Sequence, residues 1–183
     1  MPRARVHITG ASGSGTTTLG RALAQRLAVP HFDTDDFFWV PTDPPYRRKR
    51  EVADRLRLLH ELLGERRAWV LSGSLDSWGT TLVPLFDLVV WLDTPTDIRL
   101  ARVAARQRVR YGRAAIAPGG ALYDEHRAFL AWTAAYDTDL SEGRSRRRHE
   151  SWLSELPCKV LRLDGTRPTR RLVRDVLAAR ASP

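Results

Sequence analysis

Eight consecutive residues carry the densest chemistry in this chain: Gly10-Ala11-Ser12-Gly13-Ser14-Gly15-Thr16-Thr17. Glycines at positions 10, 13 and 15 let backbone N–H groups converge on phosphate oxygens where a Cβ would block the approach. The start of a helix behind them adds positive potential. The spacing fits G-x-x-x-x-G-K-[ST], and so does the context, because the apolar run Val6–Thr9 precedes it and a helical pattern, Leu19–Leu27, follows. One position departs. Where a lysine would neutralise charge on the outer phosphates stands Thr16. Thr17 holds the hydroxyl position suited to Mg²⁺, and Thr16 and Thr18 offer hydroxyl donors without charge. The predicted phosphate-binding residues are Gly10, Ser12, Gly13, Ser14, Gly15, Thr16, Thr17 and Thr18.

Charged residues beyond the loop complete the candidate site. Asp33-Thr34-Asp35-Asp36 ends a short strand pattern, and ligands of open α/β sheets bind beyond the carboxyl ends of strands. A carboxylate there suits proton removal from an attacking hydroxyl. Helix capping and turn chemistry are the alternative use of these residues. Phe37-Phe38-Trp39 are placed to wall an acceptor pocket or to fill core. The run Arg47-Arg48-Lys49-Arg50 is predicted to open a helix, where cations oppose the helix dipole and a nearby anion would account for them. Lys49 or Arg50 is therefore expected to contact the acceptor or to replace part of the missing lysine's charge. Arg99, Arg102, Arg106, Arg110 and Arg113 are spaced to share one helical stripe, where neighbouring like charges repel by a few tenths of a kcal/mol. Arg99 and Arg113 are expected in solvent, and the basic run Arg144–Arg148 is read as a solvated face or a phosphate contact.

These residues need a scaffold, and the chain supplies one. Its 183 residues, 43% hydrophobic, suffice for one domain with a real core. The pattern alternates strands at about Arg5–Thr9, Pro30–Asp33, Trp69–Leu71, Asp87–Asp93 and Lys159–Leu163 with helices at about Thr17–Leu27, Arg48–Gly64, Thr96–Arg110, Tyr123–Asp137, Arg144–Leu156 and Thr169–Ala179. Such alternation predicts a parallel α/β sheet. The strand at Asp87–Asp93 is apolar on both faces and is predicted to be central. The segment Tyr111–Ala121, rich in Gly and Arg, reads as a mobile loop.

A net charge of +9 and a pI near 10.8 call for anionic partners, either polyphosphates or nucleic acid. No helix-turn-helix, zinc-ligand or RNA-stacking pattern accompanies the charge, so nucleic acid is the less favoured partner. The single cysteine, Cys158, excludes an internal disulfide. The opening residues Met1-Pro2-Arg3-Ala4-Arg5 lead straight into a strand, and no apolar run reaches the ~18–20 residues of a membrane span. A cytoplasmic protein with no membrane contact, monomeric or homodimeric, is expected.

In this order the loop, the Asp33-x-Asp35 strand end, the arginine-studded helix and the closing Leu-Arg-Leu-Asp-Gly-Thr-Arg-Pro turn resemble the P-loop kinases of small molecules. Adenylate, shikimate and uridine kinases make up this group. The wording Gly-Ala-Ser-Gly-Ser-Gly-Thr-Thr-Thr is closer still to bacterial adenylate kinase-like proteins, for which the resemblance implies a fold and no secure substrate. The resemblance implies a three-layer α/β sandwich with a five-stranded parallel sheet, the P-loop NTPase fold of nucleotide kinase type. It implies one domain over 1–183 with a lid-like segment around 106–125. It also implies ATP and Mg²⁺, with the donor phosphates on Gly13–Thr18.

Asp35 matches the second Asp of the D-x-D pattern, as base or substrate anchor, and Asp33 joins Thr17 at the metal. Arg102 and Arg106 match the arginines that clamp the transferred phosphoryl group, with Arg110 behind them. Ser72-Gly73-Ser74 lies beside the loop in such folds, toward the acceptor or the γ-phosphate. Asp93 fits a weak water-mediated Mg²⁺ pattern, and the Asp164–Pro168 turn resembles the loop that edges the adenine. The implied activity is ATP-dependent phosphoryl transfer to a nucleoside, a nucleoside monophosphate or a metabolite hydroxyl. Two other readings remain: a slow nucleotide-binding regulatory module, and a nucleic-acid-binding protein.

Overall fold

The computed structural model describes residues 4–138 and 144–181, so the opening Met1-Pro2-Arg3 lies outside the described residues. Five strands, β1 (Ala4–Gly10), β2 (His31–Asp33), β5 (Ala68–Ser72), β6 (Leu88–Asp93) and β7 (Lys159–Asp164), form one sheet in the order β2-β5-β1-β6-β7. All its pairings are parallel, as the strand–helix alternation requires. The centre is β1, with β6 beside it. A strand buried on both faces need only be interior, and β6 is.

Two-residue periodicity sorts the side chains of each strand between two cores. Val6, Ile8, Val70, Leu88, Val90 and Leu92 face α1 (Thr16–Leu27) and α7 (Thr169–Ala181), meeting Leu19, Leu23, Leu172 and Val176. Trp69, Leu71, Val89 and Trp91 face the other way, onto Leu59 and Leu63 of α3 (Val52–Leu63) and Trp152 and Leu153 of α6 (Arg146–Ser154). Burying each of these large side chains contributes about 1.5–3 kcal/mol. The result is a helix–sheet–helix sandwich whose strands end together at one edge.

Four features of the fold depart from expectation. The chain after β2 turns through a short helix, α2 (Thr34–Phe38), and then a small antiparallel hairpin of β3 (Trp39–Val40) and β4 (Arg48–Lys49). Arg48 and Lys49 therefore lie in a strand, and α3 begins only at Val52, behind Glu51. Arg50 is tied down by the same turn: its Nε donates to the Phe37 carbonyl at 3.0 Å and its Nη2 to that of Trp39 at 3.4 Å. Arg99, expected in solvent, is completely buried at the start of α4 (Thr96–Tyr111). It is stabilised there by bonds to the carbonyls of Thr94 (3.0 Å) and Thr133 (2.9 Å), and by Asp137 at 2.6 Å. Arg113 is exposed as expected, beyond the end of α4. The final departure is α6, which starts at Arg146 behind a Ser145 cap rather than at Arg144.

Candidate active site

A cavity of about 1170 Å³ opens where β1, β2 and β5 end. Every predicted phosphate-binding residue lines it, as do Asp33, Asp35, Lys49, Arg102 and Arg106.

One half is built on the loop. Gly13 and Gly15 adopt φ of 84° and 101°, conformations that an L side chain rarely takes. A Cβ on Gly13 would lie 2.5 Å from the Arg99 carbonyl oxygen, so the loop packs directly on the backbone of α4. Helix α1 starts at Thr16 with Gly15 as its cap, and it has neither a side-chain cap nor an acidic residue in its first turn. Its free N–H groups face the cavity unopposed, which fits a phosphate group.

The Thr17 hydroxyl donates to Asp33 Oδ2 at 2.7 Å, and the Ser72 hydroxyl donates to the same oxygen at 3.0 Å. Asp33 Oδ1 meanwhile accepts the Asp35 N–H at 3.1 Å, so Asp33 both caps α2 and fixes Thr17. A hydroxyl and a carboxylate held together are hard oxygen donors, and they fit Mg²⁺.

Arg102 closes this half from the side. Its guanidinium reaches the carbonyls of Ser14 (3.2 Å) and Gly165 (3.1 Å), joining the loop to the turn after β7. That turn carries Gly165, Arg167 and Thr169 to the cavity wall. Asp93 is not among the residues that line the cavity, and Arg146 grips both its carboxylate oxygens at 2.6 and 3.1 Å. The same arginine meets Asp137 at 2.7 Å, so one member of the basic run serves the scaffold. Arg144, from the same run, lines the cavity and lies 5.6 Å from the Trp132 ring centre.

The other half surrounds Asp35. The β3–β4 hairpin brings Pro44, Pro45, Tyr46 and Arg47 over the opening. Arg47 bridges to Glu125 on α5 (Tyr123–Ala134) at 2.7 Å, and Arg110 of α4 stacks over Tyr46 at 4.9 Å. The hairpin and the predicted lid region thus meet above the cavity. Asp35 is open to solvent through the cavity yet walled by protein. Desolvation and the Asp33 charge push its carboxyl above the usual range, while Arg144 and Arg106 pull it back. Lys49 sits at the rim, with Nζ 6.0 Å from the Phe38 ring centre.

Sequence reasoning missed the hairpin, the burial of Arg99 and the polar group around His149 described below. For Arg99 a signal existed, since it precedes by four residues Val103, the apolar residue that α4 buries.

A family model described as an AAA domain matches residues 6–116. A protein of Bacillus subtilis (strain 168) described as uncharacterized protein YqaC is 44% identical over 159 residues, 87% of each chain. The cytidylate kinase of Methanopyrus kandleri is 31% identical over 125 residues, which are 57% of this chain and 63% of that one. The chain belongs to this P-loop nucleotide kinase family. The fold agrees: shikimate kinase from Acinetobacter baumannii, solved with shikimate, superposes with a TM-score of 0.60 at 16% identity, over 98% of this chain and 94% of that one. No helix among the described residues is long and apolar enough to cross a membrane.

Proposed function

We propose that this chain transfers the terminal phosphoryl group of ATP to a hydroxyl of a small-molecule acceptor. The observation that carries the reading is Asp35, a carboxylate with a raised pKa facing the phosphate loop across one cavity. The acceptor oxygen attacks the γ-phosphorus, the bond to the ADP oxygen breaks, and the hydroxyl proton passes to Asp35. Backbone N–H groups of Gly13–Thr18 hold the donor phosphates. When bound, Mg²⁺ neutralises phosphate charge, and Thr17 and Asp33 are the residues that would hold it. Arg106, close enough to Asp35 to lower its pKa, supplies charge to the transferring group, and Arg102 keeps a second guanidinium against the loop backbone. Lys49 contributes from the rim. A cytoplasmic location goes with this reading.

The test is Mg²⁺-dependent ADP release across nucleosides, nucleoside monophosphates, sugars and hydroxy acids. Asp35→Asn should lower kcat by about 10²–10⁴-fold and leave ATP affinity within about threefold. Thr16 in the lysine position favours a second reading, a nucleotide-binding module with slow turnover. Tight ATP binding that no acceptor converts to ADP release selects it.

A further inference from the structure

Behind the acceptor side of the cavity lies a buried polar group that the proposed reaction does not use. Ser74 and Asp76 follow β5, Tyr136 sits in the 3-10 turn Ala135–Asp137, and His149 comes from α6. His149 is fully buried and the Asp76 carboxylate is 4% exposed. Polar groups of this kind are costly inside a protein unless donors and acceptors match.

The matching fixes the protons. Ser74 donates its hydroxyl to Asp76 Oδ1. Burial opposes a charge on Asp76, yet hydrogen bonds from His149 and Ser74 hold its carboxyl well below the usual range, so it is the ionised acceptor. A hydroxyl has one proton to give. The 3.2 Å contact between Ser74 Oγ and His149 Nε2 must therefore run from the imidazole N–H to the serine oxygen. Nε2 also lies 3.5 Å from Asp76 Oδ1, as a shared donor would. The far nitrogen, Nδ1, meets the Tyr136 hydroxyl at 2.8 Å. His7, on β1 nearby, is kept neutral because burial lowers its pKa to about 3.

Two of the three hydrogen-bonding positions of Ser74 Oγ are thus taken by protein. Ser74, though only 3% exposed, is among the residues that line the cavity, and one lone pair of its Oγ has no protein donor. The preceding residue packs against the helix that carries Asp35: Gly73 has φ 116°, and its missing Cβ would collide with the Thr34 side chain on α2.

We propose that Ser74 is a specificity-determining residue that takes an O–H or N–H of the acceptor and turns away carbonyl, carboxylate or phosphate oxygen at that point, held in this polarity by Asp76 and His149 as positioning residues. The proposal rests on the kinase reading, since it names the kind of acceptor group that the same cavity selects. Lone pair would oppose lone pair for an oxygen without a proton, with the Asp76 charge behind.

The test compares acceptors that differ at one hydroxyl. The probes are cytidine and adenosine 5′-monophosphates against their 2′-deoxy forms, and shikimate against 3-dehydroshikimate. Wild type should favour the hydroxyl member of at least one pair by about tenfold in kcat/KM. Ser74→Ala should reduce that preference at least fivefold, acting through KM. His149→Gln, which keeps an N–H near the Nε2 position, should retain it, whereas His149→Phe should lose it. A purely structural role would slow both members of a pair alike. Preference that survives Ser74→Ala, or turnover without preference, overturns the assignment and leaves the kinase reading standing. Absence of turnover with every acceptor overturns the kinase reading and this assignment with it. Independently, ¹⁵N spectra of the protein alone should show His149 carrying its proton on Nε2; an unprotonated Nε2 overturns the fixed polarity of Ser74.

Discussion

The loop half and the acceptor half of the cavity are built in opposite ways. The loop half draws its phosphate-binding groups from one short stretch, Gly10–Thr18, seated between a central strand and the helix that follows it, with Asp33 and Arg102 flanking it. The acceptor half draws on Asp35, the hairpin over 39–49, Ser74, Arg106, Phe129, Trp132 and Arg144, which meet only after the chain has folded. The loop half answers to a chemical constant, phosphate, and local backbone geometry suffices for it. The acceptor half answers to one particular molecule and is assembled by tertiary structure. Arg99 joins the two, because its backbone supports Gly13 while its side chain holds the Thr133 carbonyl of α5.

Breaking that joint should give the largest effect. Arg99→Ala leaves Asp137 and two carbonyls without their buried partner, and about 3–5 kcal/mol of stability should be lost in urea unfolding. Affinities for nucleotide and acceptor should fall together. A loss confined to one ligand would show that the halves are independent.

Arg106 lies seven residues further along the same helix, exposed and facing Asp35. Arg106→Ala should leave stability within about 0.5 kcal/mol and lower kcat by about 10²–10³-fold. If charge from outside the loop stands in for the missing lysine, adding Thr16→Lys to Arg106→Ala should recover about tenfold in kcat. No recovery in single-turnover rates would separate the roles of the two cations.

The loop half can be broken alone. In Gly13→Ala the new Cβ would meet the Arg99 carbonyl at 2.5 Å in a backbone conformation with φ of 84°. ATP should bind about tenfold more weakly by calorimetry, while acceptor affinity stays unchanged.

The same contrast explains what the sequence made legible. The five sheet strands, the helices flanking them and the loop were readable because two-residue and 3.6-residue periodicities and glycine spacing are local signals. Thr17 with Asp33 was readable for the same reason, as both sit at predicted strand and helix ends. The hairpin was not, because Trp39–Val40 and Arg48–Lys49 are two residues each and too short to show alternation. Arg99 read as one more solvated cation because its partners, Thr133 and Asp137, lie 34 and 38 residues away. Ser74 and His149, 75 residues apart, carry no common motif, so only the folded chain brings them together.

The smallest effect tests the carboxylate at the boundary of the halves. Desolvation and Asp33 raise the Asp35 pKa in the folded chain above its unfolded value of about 3.9. Below that value Asp35 is protonated in both states and costs the fold nothing. As pH rises through the raised folded value, the charge forms more readily in the unfolded chain, and stability is lost. Asp35→Asn carries no charge at any pH, so it should match wild type at low pH and exceed it near neutrality. Screening through the open cavity limits that gain to less than about 1 kcal/mol, measurable as a small rise in Tm. The opposite sign, Asp35→Asn less stable at neutral pH, would mean that Arg106 and Arg144 outweigh desolvation. The activity of the wild type should show the complementary acid limb, rising as Asp35 loses its proton. In Arg106→Ala that limb should move to higher pH, because one of the cations drawing the pKa down is gone. The charge that weakens the fold is then the same one that accepts the proton of the acceptor, and it is stable only as far as the acceptor half supplies cations to face it.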